Sequence, residues 1–327
     1  MIRKLIVALL AATFLVMGTT SVAHAKTTLK MATLAPPRSP WGKVFRSWAK
    51  KVDKKTNGEV ELTWLWNGTA GPEKGVVEKI KSGQLAGAAI TAVGLMEIHK
   101  PIIALQIPGS FSTWAELDAA REKLMPDFRE AMKTAGFHLG GFGDVGEARV
   151  MSKGFAIRVP ADLKGKSPAV IRTDIIAPKL YEVVGDVRPV PGEVTGFLPK
   201  LNSGEINVMN TPALAAEQLQ WASRLDHMNA GVTGYGIGAL VMAQSELDKL
   251  PADQKEVLIE TGKKAGKSLT KRIRKEDAKA FERLSRKMTV HQPTDAEKAE
   301  WRGIFKQTCE RLKGAIPGDV IAKIGAC

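Results

Sequence analysis

The 327-residue chain holds only two cysteines and five histidines, and aromatic residues make up 6% of it. His99, His138, His227 and His291 stand in no metal-ligand spacing and beside no nucleophile motif. Each therefore reads as a structural or exposed histidine rather than a ligand or a catalytic base. There is no G-x-S-x-G, no phosphate-binding loop and no dinucleotide fingerprint. Gly140-Gly141-Phe142-Gly143 is glycine-rich but is followed by neither a basic residue nor a helix, so it reads as a tight turn. With no nucleophile–base pair in view, the chain is not expected to be an enzyme, and no metal or cofactor is expected. Cys309 and Cys327 both lie near the C-terminus. They read as a disulfide that ties down that end, or else as two free thiols.

Long apolar runs are also missing. The longest, Leu5 to Met17, follows the basic start Met1-Ile2-Arg3-Lys4 and precedes Ala23-His24-Ala25. It falls short of the roughly 20 residues that span a bilayer. Residues 1–25 have instead the pattern of a cleaved secretory signal, which predicts a soluble, exported (periplasmic) protein. The remaining chain of about 300 residues is long enough for two lobes. The formal net charge is +14, of which Arg3 and Lys4 supply two. The basic residues are dispersed, and only Lys271-Arg272-Ile273-Arg274-Lys275 is dense. That cluster has a helical pattern without interleaved aromatics, so it reads as a solvated helix face and no nucleic-acid partner is expected.

Read in order, residues 28–33 alternate as a strand, and the prolines at 36, 37 and 40 exclude helix. Residues 41–56 then carry Val44, Phe45, Trp48 and Val52 on a helical face that Asn57-Gly58 stops. Residues 60–66 form a strand, 73–82 a helix and 88–92 a buried-type strand, an order that argues for a mainly parallel sheet covered by helices. A helix over 113–134 is interrupted by Pro126, 137–142 is a strand, and Glu147 begins a crossing to a second α/β region. From Pro251 the pattern is helical almost to Arg286, and Thr294-Asp295-Ala296-Glu297 has capping-box spacing for one more helix. Arg172 directly follows the apolar run Ala169-Val170-Ile171. A planar, permanently charged fork at a strand mouth suits a carboxylate ligand, and it suits an internal acid equally well.

Several stretches occur together in a characteristic order: Leu29-Lys30-Met31-Ala32-Thr33-Leu34-Ala35-Pro36 with Trp41, Lys54 to Val60, and Glu78 to Leu85. Asp162-Leu163-Lys164-Gly165 leading to Ile171-Arg172, Leu201 to Asn207, and Leu250 to Gln254 follow. In this ordered set the chain resembles the extracytoplasmic solute receptors of TRAP transporters, the DctP type. The resemblance covers about residues 27 to 290, and it implies a type II-like two-lobe periplasmic binding protein with hinge crossings and a long C-terminal helical region. The expected division is 26–146 with 237–276 as lobe I, and 147–236 with 277–327 as lobe II. The implied function is capture of an organic acid between the lobes and its delivery to a membrane permease, with the receptor expected to be a monomer. A sensory protein serving a receptor kinase is the alternative.

The same resemblance assigns Arg172 as the carboxylate clamp and Arg149 as a second arginine near the crossing. Thr91, Asn210 and Thr211 become hydrogen-bonding positions. The chain departs from the family pattern at the extra residues around Ser167-Pro168 and at Asn207-Val208, where Asp-Gly is usual. Trp41, Trp66, Met96, Phe111, Met209 and Trp221 lie near the expected cleft. They are either core or an apolar wall formed by Trp41 and Trp66, and the second reading implies a ligand with a sizeable apolar part.

Overall fold

A computed structural model describes residues 26–327, and the expected signal, 1–25, lies outside them. The first strand, β1 (Thr27–Thr33), buries every other residue before becoming wholly buried at its end. Ser39 caps the next helix, α1 (Pro40–Lys55), accepting the Gly42 N–H at 3.1 Å, and Pro40 opens it where no donor is needed. Asn57 and Gly58, both with positive φ, end it. Strands β2 (Val60–Leu65) and β3 (Gly87–Thr91) lie parallel to β1 on its two sides, with α2 (Glu73–Lys81) between them in sequence. This is the expected β-α-β start.

After a short helix α3 (Ala92–Met96) and a 3-10 segment comes α4 (Trp114–Thr134), which runs unbroken through Pro126. The expected interruption is absent. Leu124 and Phe128, flanking the proline, are both buried, and their packing offsets the lost backbone hydrogen bond.

The main correction concerns residues 137–152. The expected strand, turn and crossing form one strand, β4 (Phe137–Ser152), 16 residues long and bulged near Gly141 and Gly146. Its first part pairs antiparallel with β9 (Gly234–Ala243), and its last residues pair with β7 (Val208–Pro212) and β8 (His227–Asn229). The eight-stranded sheet, ordered β10 (Thr289–His291)-β8-β4-β9-β3-β1-β2 with β7 beside β4, is therefore mixed rather than mainly parallel. A chain that crosses to a second lobe and returns beside itself must run antiparallel there. The second lobe adds a small parallel pair, β5 (Ala169–Ile171) with β6 (Val190–Gly192), joined to β7 by a bridge between Pro168 and Val208. Its helices are α5 (Ala177–Val184), α6 (Phe197–Ser203) and α7 (Ala213–Gln218).

Following α8 (Gln244–Asp248), α9 (Ala252–Ser285) has 34 residues, about 50 Å at 1.5 Å per residue. It packs along β4 and touches α1 and α7, bracing both ends of the fold. Its Asp277 is fully buried and accepts backbone N–H groups of Glu147 on β4 (2.9 Å) and Leu214 on α7 (2.8 Å). Gly146 makes room for that carboxylate: its φ is +138°, and a Cβ there would lie 2.6 Å from Asp277. Strand β10 (Thr289–His291) leads to α10 (Asp295–Leu312), where Thr294 and Glu297 form the expected capping box.

Trp301 and Phe305 of α10 pack with Leu180 and Tyr181, whereas Cys309 and Leu312 join the core around α4. The last helix, α11 (Gly318–Ile324), lies on α4, with Lys323 Nζ 2.6 Å from Asp127. Residues beyond Cys309 thus pack around α4. The Cys309–Cys327 disulfide, with Cα atoms 5.5 Å apart, closes this end.

Candidate functional site

A cavity of about 320 Å³ opens where β1, β3, β4, β5, β7 and β9 approach one another, within the size range of small-molecule sites. Its floor is glycine-rich. Cβ atoms at Gly143 and Gly238 would strike Leu269 and the Ile90 carbonyl, so glycine there lets the crossing strands and α9 close up.

Four of the seven expected site residues border it: Trp41, Thr91, Asn210 and Thr211. Trp41 donates its indole N–H to the Asp144 carbonyl at 3.1 Å, which fixes the ring as a wall. The Thr91 hydroxyl is engaged by Glu73 at 2.5 Å; Glu73 also accepts the Thr91 N–H (2.7 Å) and Gly94 N–H (3.1 Å). Asn210 accepts from the Thr233 hydroxyl at 2.8 Å. Thr211 is the register partner of Arg149, so its side chain shares that residue's face of the sheet while Asn210 turns to the other.

Arg149, Arg172 and Trp66 do not border the cavity. The Arg149 side chain is buried, bonded to Glu147 at 2.6 Å and to the Ala230 carbonyl at 3.2 Å, and its guanidinium covers the Phe281 ring at 4.3 Å. It secures the crossing. The backbone N–H of Arg172 continues the β5–β6 ladder to Gly192. Its side chain leaves toward solvent, 64% exposed and 3.6 Å from Glu193. All three residues of β5, Ala169, Val170 and Ile171, border the cavity, and the arginine does not. Trp66 stacks on Trp64 at 5.5 Å, one ring behind the lining residue Phe45. Of the other expected apolar residues, Met209 and Trp221 border the cavity, while Phe111 and Met96 pack in the core around α4.

No lysine or arginine borders the cavity among the described residues, but Glu73, Asp144 and Asp174 do. Asp144 is fully buried and balanced, by the Arg121 guanidinium and by Arg274 Nε at 2.6 Å. Arg274 also grips Asp118 with two bonds of 2.6 and 2.7 Å and lies 4.3 Å over Trp114. That grip holds the Asp118 carboxyl below its usual range. Among the described residues, Glu73 and Asp174 have no such counter-charge. Burial pushes both carboxyls up, and the donors around them offset it only in part. Sequence reasoning missed all three acids. Asp174 sits two residues past Arg172, and a search of strand ends for acids as well as bases would have found it.

A shell of two α/β lobes that share their crossing strands, with a ligand-sized cavity at the crossing, is the form of a solute-capturing receptor. The chain belongs to the bacterial extracellular solute-binding protein family 7 (DctP), whose model matches residues 31–313. A solute-binding protein of Verminephrobacter eiseniae is 22% identical over 273 residues, 83% of this chain and 81% of that protein. Another, from a Sulfitobacter species, is 24% identical over 250 residues, 76% of this chain and 75% of that protein. Among solved structures, a TRAP periplasmic solute-binding protein of Sulfurospirillum deleyianum with bound succinate superposes at a TM-score of 0.86. It is 19% identical and covers 92% of this chain and 99% of its own. The Ralstonia eutropha counterpart, with bound (S)-2-acetolactate, gives 0.85 at 20% identity over 91% of this chain and 98% of its own.

Proposed function

We propose that this protein is the periplasmic receptor of a TRAP-type transporter, capturing an organic acid with a large apolar part and handing it to a membrane permease. The observation that carries this reading is the cavity: ligand-sized, at the crossing of the lobes, walled by Trp41, Phe45, Ile171 and Met209, and sparing in polar groups. In this reading the apolar body enters the cavity and the carboxylate stays at the rim. Arg172 supplies the rim cation. It follows the lining residue Ile171, and its contact with Glu193, 3.6 Å across an exposed surface, is weak enough for a ligand to displace. Closure of the two lobes about the crossing strands would then bury the acid.

Organic acids of graded apolar size test the reading in a thermal-shift screen, since a ligand bound to the native state raises the melting temperature. Acids with an aryl or alkyl body should stabilise the protein more than succinate does. Arg172→Ala should weaken the best of them about tenfold through loss of a charged hydrogen bond. No stabilisation by any acid would reject the reading, and unchanged affinity in Arg172→Ala would reject the clamp alone.

A further inference from the structure

Tyrosine occurs only twice in the chain, and Tyr181 and Tyr235, 6% and 4% exposed, both border the cavity. They face different surroundings. The Tyr235 ring lies edge-on to Trp114 at 4.5 Å. Burial and the carboxylates of Glu147 and Glu116 push its phenol up to about 12, and the Trp114 ring that it touches lies under the Arg274 guanidinium. Tyr181 is held on α5 among Leu180, Trp301 and Phe305, and its phenol has no hydrogen-bond partner among the described residues.

Asp174, just before α5, also borders the cavity. One of its oxygens, Oδ1, accepts the Ile176 N–H at 2.7 Å and the Ala177 N–H at 3.4 Å. The other is unpartnered among the described residues. Burial pushes the Tyr181 phenol up, and the charge of Asp174 adds to that rise. An acceptor just before α5 and a donor on that helix, each without a partner among the described residues, thus border the same cavity. A ligand group lying between them would give both a hydrogen-bond partner. With Glu73 equally without a counter-charge, a carboxylate pushed inward would meet two acids and no base.

We propose that Asp174 and Tyr181 form a subsite for an uncharged hydroxyl on the apolar end of the ligand, one that donates to Asp174 and accepts from Tyr181. The same subsite excludes a second carboxylate. The proposal rests on the organic-acid reading above and narrows it to monoacids that carry a distal hydroxyl.

Three matched probes test it by calorimetry: 3-phenylpropanoate, 3-(4-hydroxyphenyl)propanoate and the diacid 3-(4-carboxyphenyl)propanoate. The wild type should bind the hydroxylated probe about fivefold tighter than the plain one, a single net hydrogen bond. The diacid should bind at least tenfold more weakly than the plain probe. Tyr181→Phe should erase the hydroxyl preference while leaving the plain probe within twofold, and Asp174→Asn, which keeps an acceptor for the α5 donors, should restore diacid binding. Retention of the preference in Tyr181→Phe, or wild-type affinity for the diacid matching the plain monoacid, overturns the subsite and leaves the acid reading standing. Binding of none of the three by the wild type overturns the acid reading and the subsite with it.

Discussion

Asp277 gives the sharpest test of how the two lobes are joined. Its carboxylate bridges the Glu147 N–H on β4 and the Leu214 N–H on α7, at 2.9 and 2.8 Å, where the side chain is almost wholly buried. Asp277→Ala strands both donors. At about 1–3 kcal/mol for each orphaned buried group, the cost should be about 2–6 kcal/mol. Asp277→Asn keeps one acceptor and sets an amide N–H₂ against the second donor, so about half that loss is expected. The two variants should differ in pH dependence as well. Burial, the largest cause, raises the Asp277 carboxyl, and its two backbone donors and Arg149 offset this only in part. The native state then holds the proton to higher pH than the unfolded chain does. Its contribution is complete below the ordinary aspartate range and is lost as pH rises through the raised native value. Asp277→Asn lacks that decline. Urea denaturation followed by tryptophan fluorescence between pH 4 and about 8 measures both effects. A loss below about 1 kcal/mol in Asp277→Ala, or an unchanged pH slope in Asp277→Asn, would refute the bridging role.

Arg274→Ala should destabilise the protein by about 3–5 kcal/mol, because it strips one partner from the buried Asp144 and uncovers Trp114; thermal or urea unfolding checks this, and a neutral result would show Arg121 to be sufficient. Reduction of the Cys309–Cys327 bond, or the double serine variant, should cost about 3 kcal/mol in the chain-entropy view for a loop of 18 residues. The loss should appear first as faster amide exchange in α11, and equal exchange with and without reductant would contradict it. Gly146→Ala should be destabilising at any pH, since the new methyl meets the Asp277 carboxylate at 2.6 Å in a backbone conformation that disfavours side chains; its unfolding midpoint against wild type measures this.

The fold was legible wherever the signal is local. The buried face Val44, Phe45, Trp48 and Val52, the stop at Asn57-Gly58 and the Thr294–Glu297 box all specify helices from neighbouring residues. The glycine-rich run within β4 was not legible, because its strand character comes from pairing with residues about a hundred positions away on β9. The same separation divides the site residues. Trp41 and Thr91 follow from loop position at strand ends. Arg149 is tied down by Glu147, two residues earlier on the same strand, and by Phe281 on α9, which meets it only in the folded chain. Arg172 follows a β5 strand whose three residues, Ala169, Val170 and Ile171, all border the cavity, while its own side chain leaves toward solvent beside Glu193. Asp144 was hidden inside a stretch read as a turn, and its counter-charges Arg121 and Arg274 come from α4 and α9.

The central claim is that the cavity captures an acid whose bulk is apolar, and the small molecule carried by the protein tests it most directly. Exported protein, purified without added ligand and then denatured, should release a monocarboxylic acid with an aryl or alkyl body, identified by mass spectrometry of the supernatant. Release of a dicarboxylate or a polyhydroxylated sugar acid, and of no apolar acid, would contradict the account.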